Sequence, residues 1–494
     1  MLAIGRALPR LLLVSLLMQA SQFFIGSSAP ASPSAWAATT RTNFLIIMSD
    51  DQRYDTMEFM PRTNARIFAE GVAFPNAYAT TPLCCPSRAS ILTGMYAHNH
   101  SVRVNADRLL KETFIQRLQK SGYYTGQVGK YLNSWDGSAR PEFNLWVAFA
   151  GGGSRYFDPR LNVNGTWRVQ QGYITYILRD YALEFLRRAA QQEKPFVLLF
   201  SPNAPHFFGP DPGTKADESR PPDPAPGDEG LYGNLPKHRP PNFKKTDLSA
   251  KPRWIRSRPP LTPDLIAKID IFRQKQLQTL NSLDQAINSL LNALAEQGKL
   301  DDTLVIYLSD NGHFWGEHRI PWGKLAVYEE ASRVPFAVRY PRLVSEPRLE
   351  TRLVANIDIA PTIYELAGIP IPPEVDGRSL VPLLGGKRTQ TTASMDWRED
   401  LLLEGWPTAR EVKEGQAPYA AVHTGRYVYV ETRDDRSELY DLEQDPYQLV
   451  NRINDPAYAE IVADMKERLK RLRAPGEVVS PAQPATKKRA GERK

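Results

Sequence analysis

The chain has 494 residues, of which 42% are hydrophobic and 24% charged, and only two of them are cysteines, Cys84 and Cys85. Two adjacent cysteines exclude a disulfide framework, and no distant cysteine could complete a thiolate zinc site. The formal net charge of +7 is concentrated near the ends: Arg6, Arg10 and the basic tail 487–494 account for all but about +1. The net positive charge of the chain therefore gives no reason to expect a nucleic-acid partner.

The N-terminal segment is typical of an export signal. Basic residues precede the apolar run 11–18, and Ala35-Trp36-Ala37 supplies small residues for cleavage, so we predict a signal peptide over residues 1–37. Cleavage nearer Ala20 or Ser28 is the alternative. The apolar run is too short to span a bilayer, and no later segment is long and apolar enough. We therefore expect an exported protein (periplasmic, secreted or in a lysosomal-type compartment) with no membrane span.

Strands alternate with helices through most of the sequence. This alternation predicts the α/β class, with a mostly parallel sheet covered by helices on both faces. Ligand sites in such sheets lie beyond the carboxyl ends of the strands. We predict strands over 43–48, 123–128, 195–201, 303–309 and 334–340, and helices over 110–122, 174–191 and 264–298.

Two segments interrupt the alternation. Residues 209–263 are rich in proline and charge, and a loop of this length is predicted to run over the surface near the mouth of the site. After about Gly386 the pattern changes to short strands (420–423, 427–431, 437–441) and a helix (455–473). The sequence thus predicts a main domain, 41–385, a C-terminal subdomain, 386–474, and a disordered basic tail, 475–494.

The segment Leu83–Gly94 carries the most specific motif, L-C-C-P-S-R-A-S-I-L-T-G, which fits the pattern C-x-P-S-R-x-x-x-L-T-G. Proline disfavours the helical region for the residue before it, so we expect Cys85 outside a helix and Cys84 on a rigid turn. A helix starting near Ser87 would turn its N–H groups and positive dipole end towards an anion. Arg88 would add a fixed cation, and Cys85 is expected to be a buried spectator.

Acidic and amide residues follow two predicted strands. Asp50 and Asp51 follow the strand at 43–48, and Asp310 and Asn311 follow the strand at 303–309. Three carboxylates and one amide make an all-oxygen site, which suits a hard cation such as calcium and does not suit zinc. A turn or helix-capping role is the alternative for any one of these acids.

The motif around Cys84 resembles the sequence that sulfatases carry around their nucleophile. The neighbouring segments Tyr96–Val102 (Y-A-H-N-H-S-V) and Gly129–Asn133 (G-K-Y-L-N) are similar to N-acetylglucosamine-6-sulfatases and extracellular heparan 6-O-endosulfatases. The resemblance covers residue 42 to about residue 370 and, more weakly, the C-terminal part, where 438–446 resembles the sulfatase C-terminal subdomain. It implies an alkaline-phosphatase-like fold, with a large, mostly parallel sheet between helices and a smaller C-terminal antiparallel sheet with a helix.

The resemblance also implies a modified nucleophile and a metal. In the family a formylglycine-generating enzyme oxidises the first cysteine of the motif, here Cys84, to formylglycine (3-oxoalanine), an aldehyde that hydrates to a geminal diol. A thiolate that attacked a sulfate ester would be trapped as a thiosulfate, whereas one hydroxyl of the diol can attack and the other can expel the product. The family positions of one calcium ion fall on Asp50, Asp51, Asp310, Asn311 and the modified Cys84.

Further side chains take roles from the same resemblance. Lys130 would contact the nucleophile and the sulfate, His206 and Lys324 would bind the sulfate, and His318 or His206 would transfer protons. Arg88, as derived above, would add a cation. The predicted sugar-binding residues are His98, Asn99, His100 and Asn133.

The sequence also leaves alternatives open and departs from the family pattern. The segment His98–His100 could instead fix a loop through local hydrogen bonds. Leu132 stands where many sulfatases have a histidine, so that role is open and Asn133 would replace it only in part. His313 and Phe314 stand where relatives often have Tyr-His or two aromatic residues.

These observations together predict an exported, calcium-dependent sulfatase that acts on sulfated sugars such as N-acetylglucosamine 6-sulfate. An arylsulfatase of broad specificity, or a phosphonate or phosphodiester hydrolase with the same nucleophile and metal, is one alternative. A non-catalytic sugar-binding protein, in which Cys84 is never modified, is the other.

Overall fold

The computed structural model describes residues 41–209, 217–243, 247–385, 397–413, 415–433 and 435–473. The predicted signal peptide, 1–37, and the predicted basic tail, 475–494, lie outside the described residues. Parts of the Pro-rich segment 209–263 (210–216 and 244–246) and of the predicted C-terminal subdomain (386–396) also lie outside them. No helix in the described ranges has both the length and the apolar composition that crossing a membrane requires.

The described residues form the following strands and helices. The strands are β1 Asn43–Ser49, β2 Val72–Ala73, β3 Ala77–Tyr78, β4 Tyr124–Lys130, β5 Leu145–Phe149, β6 Arg160–Val163, β7 Thr166–Val169, β8 Phe196–Ser201, β9 Thr303–Ser309, β10 Phe336–Arg339, β11 Arg348–Leu349, β12 Val354–Ala355, β13 Leu401–Gly405, β14 Tyr419–His423, β15 Tyr427–Thr432 and β16 Glu438–Asp441. The α-helices are α1 Pro61–Thr63, α2 Cys84–Thr93, α3 Ala97–His100, α4 Phe114–Lys120, α5 Ile174–Ala190, α6 Arg253–Arg256, α7 Pro263–Glu296, α8 Glu329–Ser332, α9 Ile359–Ala367, α10 Val381–Leu384, α11 Ala409–Lys413 and α12 Ala459–Leu472. Short 3-10 helices lie at Tyr54–Phe59, Asn356–Asp358 and Pro456–Tyr458, and a π-helical turn lies at Asn64–Phe68.

The large sheet is parallel at its centre. Its ten strands are ordered β11-β2-β10-β9-β1-β8-β4-β5-β6-β7. The consecutive strands β9, β1, β8, β4 and β5 run parallel, whereas β10 pairs antiparallel with β9, and β6 and β7 continue antiparallel from β5. The predicted α/β fold with a mostly parallel sheet is confirmed.

Strand β1 shows why the sequences of the central strands are continuous apolar runs. Phe44, Ile46 and Met48 pack in the core on the side of α2, α4 and α9. Leu45 and Ile47 pack in the core on the side of α5 and α7. A strand that is buried on both faces has no polar side chain to alternate with the apolar ones. Each fully buried aliphatic side chain of this kind contributes about 2 kcal/mol.

A second, four-stranded antiparallel sheet has the order β13-β14-β15-β16. Leu401 and Leu403 face a core shared with the main domain, and Leu402 faces helix α12. The smaller C-terminal sheet with its helix is therefore present as predicted. The exact boundaries at 385 and 474 stay predictions.

Some elements differ from the sequence prediction. The strand predicted at 334–340 is shorter and antiparallel to β9, because an apolar run does not report strand direction. The helix predicted at 110–122 begins only at Phe114, where Thr113 and Gln116 form a capping box. Strands β5 and β13, both buried, were not predicted.

Candidate active site

Four neighbouring parallel strands end at the same edge of the large sheet. Asp50 and Asp51 follow β1, and Asp310 and Asn311 follow β9, whose last residue lies opposite the last residue of β1. Lys130 is the last residue of β4, and the loop after β8 carries His206 five residues beyond the strand. The carboxyl ends of the strands thus bring six predicted site residues to one place.

Helix α2 brings the nucleophile position to this edge. The helix begins at Cys84, so the expectation that Pro86 keeps Cys85 out of the helix is wrong. Proline is tolerated here because the first N–H groups of a helix have no acceptor within the helix. The backbone N–H of Cys85 instead donates to Asn105 Oδ1 at 3.0 Å.

A buried network of opposite charges surrounds Cys84. Lys130 Nζ donates to Asp50 Oδ2 at 2.6 Å, and Arg88 Nε donates to Asp310 Oδ2 at 2.8 Å. A second guanidinium nitrogen of Arg88 lies 3.6 Å from Asp50 Oδ2, and a third bond joins Arg88 to the carbonyl of Lys130 at 3.0 Å. The fork of the guanidinium therefore ties the ends of β1, β4 and β9 together.

Lys324 completes the network from a loop beyond β9. Its ammonium group donates to Asp51 Oδ1 and lies 2.8 Å from the Cys84 sulfur. Asn311 Nδ2 donates to the same Asp51 oxygen at 2.7 Å. The Cys84 sulfur lies 3.8 Å from Asp50 Oδ1, so the nucleophile position is in contact with both a carboxylate and a cation.

Burial and the neighbouring charges act in opposite directions on these groups. Burial alone would raise the pKa of Asp50 and Asp51, but the cations around them, led by Lys130 for Asp50 and Lys324 for Asp51, hold both pKa values below the ordinary range. Burial prevails at Asp310, whose pKa is raised. Burial also raises the pKa of the Cys84 thiol to about 12. A thiol at this position therefore stays protonated at neutral pH.

His206 is held in one orientation. Its Nδ1 donates to the carbonyl of Phe207 at 2.9 Å, and its Nε2 lies 3.7 Å from Asp51 Oδ2. Burial lowers the pKa of His206 to about 4, although Asp50 and Asp51 act in the opposite direction. The imidazole is therefore neutral, and its Nε2 lone pair faces the carboxylates.

The site contains donors that suit a hard cation. Ligand atoms of Asp50, Asp51, Cys84 and His206 all lie within 4.8 Å of one another. Asp51 Oδ2 and Asn311 Oδ1 are buried, and neither accepts a hydrogen bond from any residue that the structure describes. Buried carboxylate and amide oxygens of this kind suit a hard cation such as calcium better than they suit zinc.

The other predicted histidine, His318, has a different neighbourhood. Its ring stacks on Tyr328 with centroids 4.2 Å apart, and its Nε2 lies 3.3 Å from the Asn242 amide. Asn242 belongs to the Pro-rich segment and also donates to Glu330 at 2.7 Å. The role of His318 in proton transfer stays a prediction, and its contacts favour a structural role between this segment and the loop before Lys324.

The predicted sugar-binding segment on α3 is tied to the protein itself. His98 Nδ1 lies 2.8 Å from Glu404 Oε2, and Asn99 Nδ2 donates to both carboxylate oxygens of Asp376 at 2.9 and 3.0 Å. His100 bonds to Ser90 Oγ at 3.0 Å and is neutral, because burial lowers its pKa to about 3. These contacts favour the alternative that the segment fixes a loop.

Asn133 lies against a glycine-rich loop that sequence reasoning did not single out. A Cβ atom at Gly152 would lie 2.1 Å from Asn133 Nδ2, and one at Gly153 would lie 3.1 Å from His206 Cε1. Asn133 Oδ1 is buried and has no partner among the described residues. The sequence feature that could have revealed this loop is the Gly-Gly-Gly run at 151–153, because only glycine lets the backbone approach neighbouring side chains this closely.

His313 is a second site residue that the prediction missed. Its Nε2 accepts the N–H of Gly323 at 3.1 Å, and its ring stacks on Phe272 with centroids 5.3 Å apart. Burial lowers its pKa to about 4, against the opposing effect of Asp51. The only sequence feature that pointed to His313 was that residues 313 and 314 differ from the family pattern.

Comparison with protein families identifies the class of protein. The sulfatase family model matches residues 42–369, and a model described as the C-terminal part of N-sulphoglucosamine sulphohydrolase matches residues 316–475. The chain therefore belongs to the sulfatase family, whose enzymes are sulfuric ester hydrolases.

The chain can also be compared with individual members of the family. The chain is 33% identical over 77% of its length to the extracellular sulfatase SULF-1 homolog of Drosophila melanogaster, and 30% identical over 89% of its length to the N-acetylglucosamine-6-sulfatase of Homo sapiens. The match covers 35% of the Drosophila protein, 52% of a Caenorhabditis elegans relative and 85% of the human protein.

A solved structure is similar over nearly the whole of both chains. It is a complex with its substrate D-glucosamine-2-N,6-O-disulfate, 26% identical in sequence, with a TM-score of 0.76, and the match covers 88% of this chain and 97% of the other.

The contact between His98 and Glu404 should be measurable in the free energy of unfolding. Each single change to alanine and the double change form a cycle in which we expect a coupling of about 1–2 kcal/mol, because the pair is charge-assisted and almost fully buried. Denaturant unfolding measures each term. His98→Ala combined with Glu193→Ala, an exposed carboxylate, should be additive. Zero coupling at Glu404, with a loss confined to kcat/KM on a sugar sulfate, would instead assign His98 to substrate binding.

Proposed function

We propose that this protein hydrolyses the 6-sulfate ester of N-acetylglucosamine or a closely related sulfated sugar, with a formylglycine at position 84 and one calcium ion. The observation that carries the proposal is the buried cluster in which Cys84, three carboxylates and three cations meet at the carboxyl ends of parallel strands. The similarity to N-acetylglucosamine-6-sulfatases and to the structure bound to a glucosamine disulfate supports the choice of sugar.

The environment of Cys84 supports the modification. A thiol whose pKa is raised to about 12 is almost entirely protonated at neutral pH, so it would be a poor nucleophile as encoded. Formylglycine would supply a hydrated aldehyde whose hydroxyl groups attack the ester and then release the sulfate. Its position at the first residue of α2 would place the positive end of the helix dipole beside the anion.

The charges of the cluster support the metal. Asp50, Asp51 and Asp310 balance Arg88, Lys130 and Lys324 one for one. Asp50, Asp51, Asp310 and Asn311 would hold calcium, together with residue 84, and the ion would supply a fixed positive charge to the sulfuryl oxygens. A divalent cation would leave the cluster with an excess of two positive charges, which favours the binding of an anionic ester.

The side chains of the chain itself would bind the sulfuryl group and move the protons. Lys130, Lys324 and Arg88 are fixed by carboxylates, so they would meet the negative charge without reorganising. Neutral His206 presents its Nε2 lone pair, and we assign it the proton of the second hydroxyl when sulfate is released. His318 would then have a structural role, through its stacking on Tyr328 and its contact with Asn242.

The compartment and the surrounding segments complete the proposal. The predicted signal peptide at 1–37 supports export, and relatives described as extracellular sulfatases agree with this. Export would require maturation by a formylglycine-generating enzyme before or during secretion. Asn242, near the end of the described part 217–243 of the Pro-rich segment, lies 3.3 Å from His318 Nε2, and this contact supports a position of that end beside the loop that carries Lys324.

The metal is tested by removing one of its proposed ligands. Asp51→Asn and Asp310→Asn should each lose an anionic ligand, so bound calcium and kcat should fall together, kcat by about 100-fold or more. Elemental analysis and turnover of a sugar sulfate measure the two effects. Asp180→Asn, the same change at an exposed position, should alter neither. Full activity of metal-free enzyme after exhaustive chelation would contradict the calcium assignment.

The substrate is tested by a matched panel of esters. We expect kcat/KM for N-acetylglucosamine 6-sulfate to exceed that for 4-nitrophenyl sulfate by about tenfold or more, because specificity is differential binding of the transition state. Cys84→Ala, which cannot be modified, is the control for background hydrolysis. A preference for the aryl ester would leave a sulfatase of broad specificity, and faster turnover of the matching phosphate or phosphonate esters would replace the proposal.

A further inference from the structure

The side chains of His313 and Phe314, which are adjacent in sequence, lie in different parts of the protein. The Phe314 ring lies in the core that the main domain shares with the C-terminal sheet. The His313 ring, on the second residue after Asn311, instead accepts the backbone N–H of Gly323, the residue before Lys324. The imidazole therefore lies on the side of the charge cluster.

A backbone hydrogen bond fixes the tautomer of His313. The N–H of Gly323 donates to Nε2 at 3.1 Å, so Nε2 carries a lone pair. The single ring proton of a neutral imidazole must then be on Nδ1. Lys324 directly follows Gly323, so the same bond also holds the ring at a set distance from the lysine that contacts Cys84.

The Nδ1–H of His313 is a buried donor without an acceptor among the described residues. His313 is only 1% exposed, so bulk water does not satisfy the group. An unpaired buried donor is destabilising, so a buried donor of this kind calls for an explanation such as a ligand that completes it. In the same cluster a guanidinium nitrogen of Arg88 and Asp51 Oδ2 also form no hydrogen bond with the described residues.

We propose that His313 is a substrate-binding residue whose Nδ1–H donates a hydrogen bond to an oxygen of the bound sulfate ester. The inference rests on the proposed function, because the ligand is the substrate of that reaction. No proton is transferred: the neutral ring acts as a fixed donor, as preorganised hydrogen-bond donors do at sites that bind anions. The role is specific to a chain with histidine at position 313.

Two substitutions separate this role from a structural one. His313→Gln can keep an acceptor near Nε2 for the Gly323 N–H, but it loses the donor at Nδ1. His313→Asn can keep an amide donor near Nδ1, but it is too short to reach Gly323. We expect His313→Gln to lower kcat/KM on the sugar sulfate by about 10- to 100-fold and His313→Asn to retain clearly more activity. Melting temperatures of both variants report the cost to the fold, and His423→Gln, at a buried histidine of β14, controls for loss of an imidazole.

Calorimetric titration with inorganic sulfate gives a readout that does not require turnover. Weaker sulfate binding by His313→Gln than by His313→Asn would support the donor even if no ester were hydrolysed, in which case the proposed function alone would fail. The reverse order, with His313→Asn less active and weaker in binding, would show that the contact with Gly323 is what matters and would overturn the proposal. Equal values for both variants and the unaltered protein would overturn it as well.

The same variants identify which oxygen of the sulfate ester accepts the hydrogen bond from His313 Nδ1. If Nδ1–H contacts the bridging oxygen, His313→Gln should lose more on the sugar ester than on the aryl ester, because an alcohol is the poorer leaving group. If it contacts a sulfuryl oxygen, the loss should be similar on both esters. Either pattern supports the donor.

Discussion

The rest of the site depends on the compensation of three buried carboxylates by three buried cations. Asp50, Asp51 and Asp310 would be strongly disfavoured as anions in the interior, and removing one partner from such a network costs about 3–5 kcal/mol. The guanidinium of Arg88 carries most of this constraint, since it bonds to Asp310, lies near Asp50 and holds the carbonyl of Lys130. A cluster that must be assembled completely to be tolerated is also fixed in geometry, which is the condition for electrostatic catalysis.

The C-terminal sheet contributes to this geometry from outside the cluster. The backbone N–H of Glu404 donates to the carbonyl of Thr80, four residues before Cys84, at 2.8 Å. On the other side Gln416 Nε2 donates to the carbonyl of Leu325, the residue after Lys324, at 2.6 Å. The segments that lead to the nucleophile and to the lysine beside it are thus both held by the small sheet. A single family model that matches residues 316–475 spans both the loop that carries Lys324 and this sheet, which agrees with a sheet that belongs to the catalytic unit.

The sequence predicted those features whose cause is local. Asp50 and Asp310 were found because each ends a continuous apolar run, and the carboxyl ends of parallel strands meet. The partners of His98 and Asn99 lie some 300 residues away, at Glu404 and Asp376, and no local pattern reports such contacts. His313 was missed as a donor for the same reason: its tautomer depends on a backbone N–H that only the folded loop brings to it.

The central claim is that residue 84 acts as an aldehyde and not as a thiol. Mass analysis of tryptic peptide 67–88 from active enzyme, produced together with a formylglycine-generating enzyme, tests it most directly, because the peptide contains both cysteines. The account predicts a peptide lighter by the difference between a thiol and an aldehyde at position 84, an intact thiol at Cys85, and turnover in proportion to the modified fraction. Full turnover by enzyme whose Cys84 is entirely unmodified would contradict it.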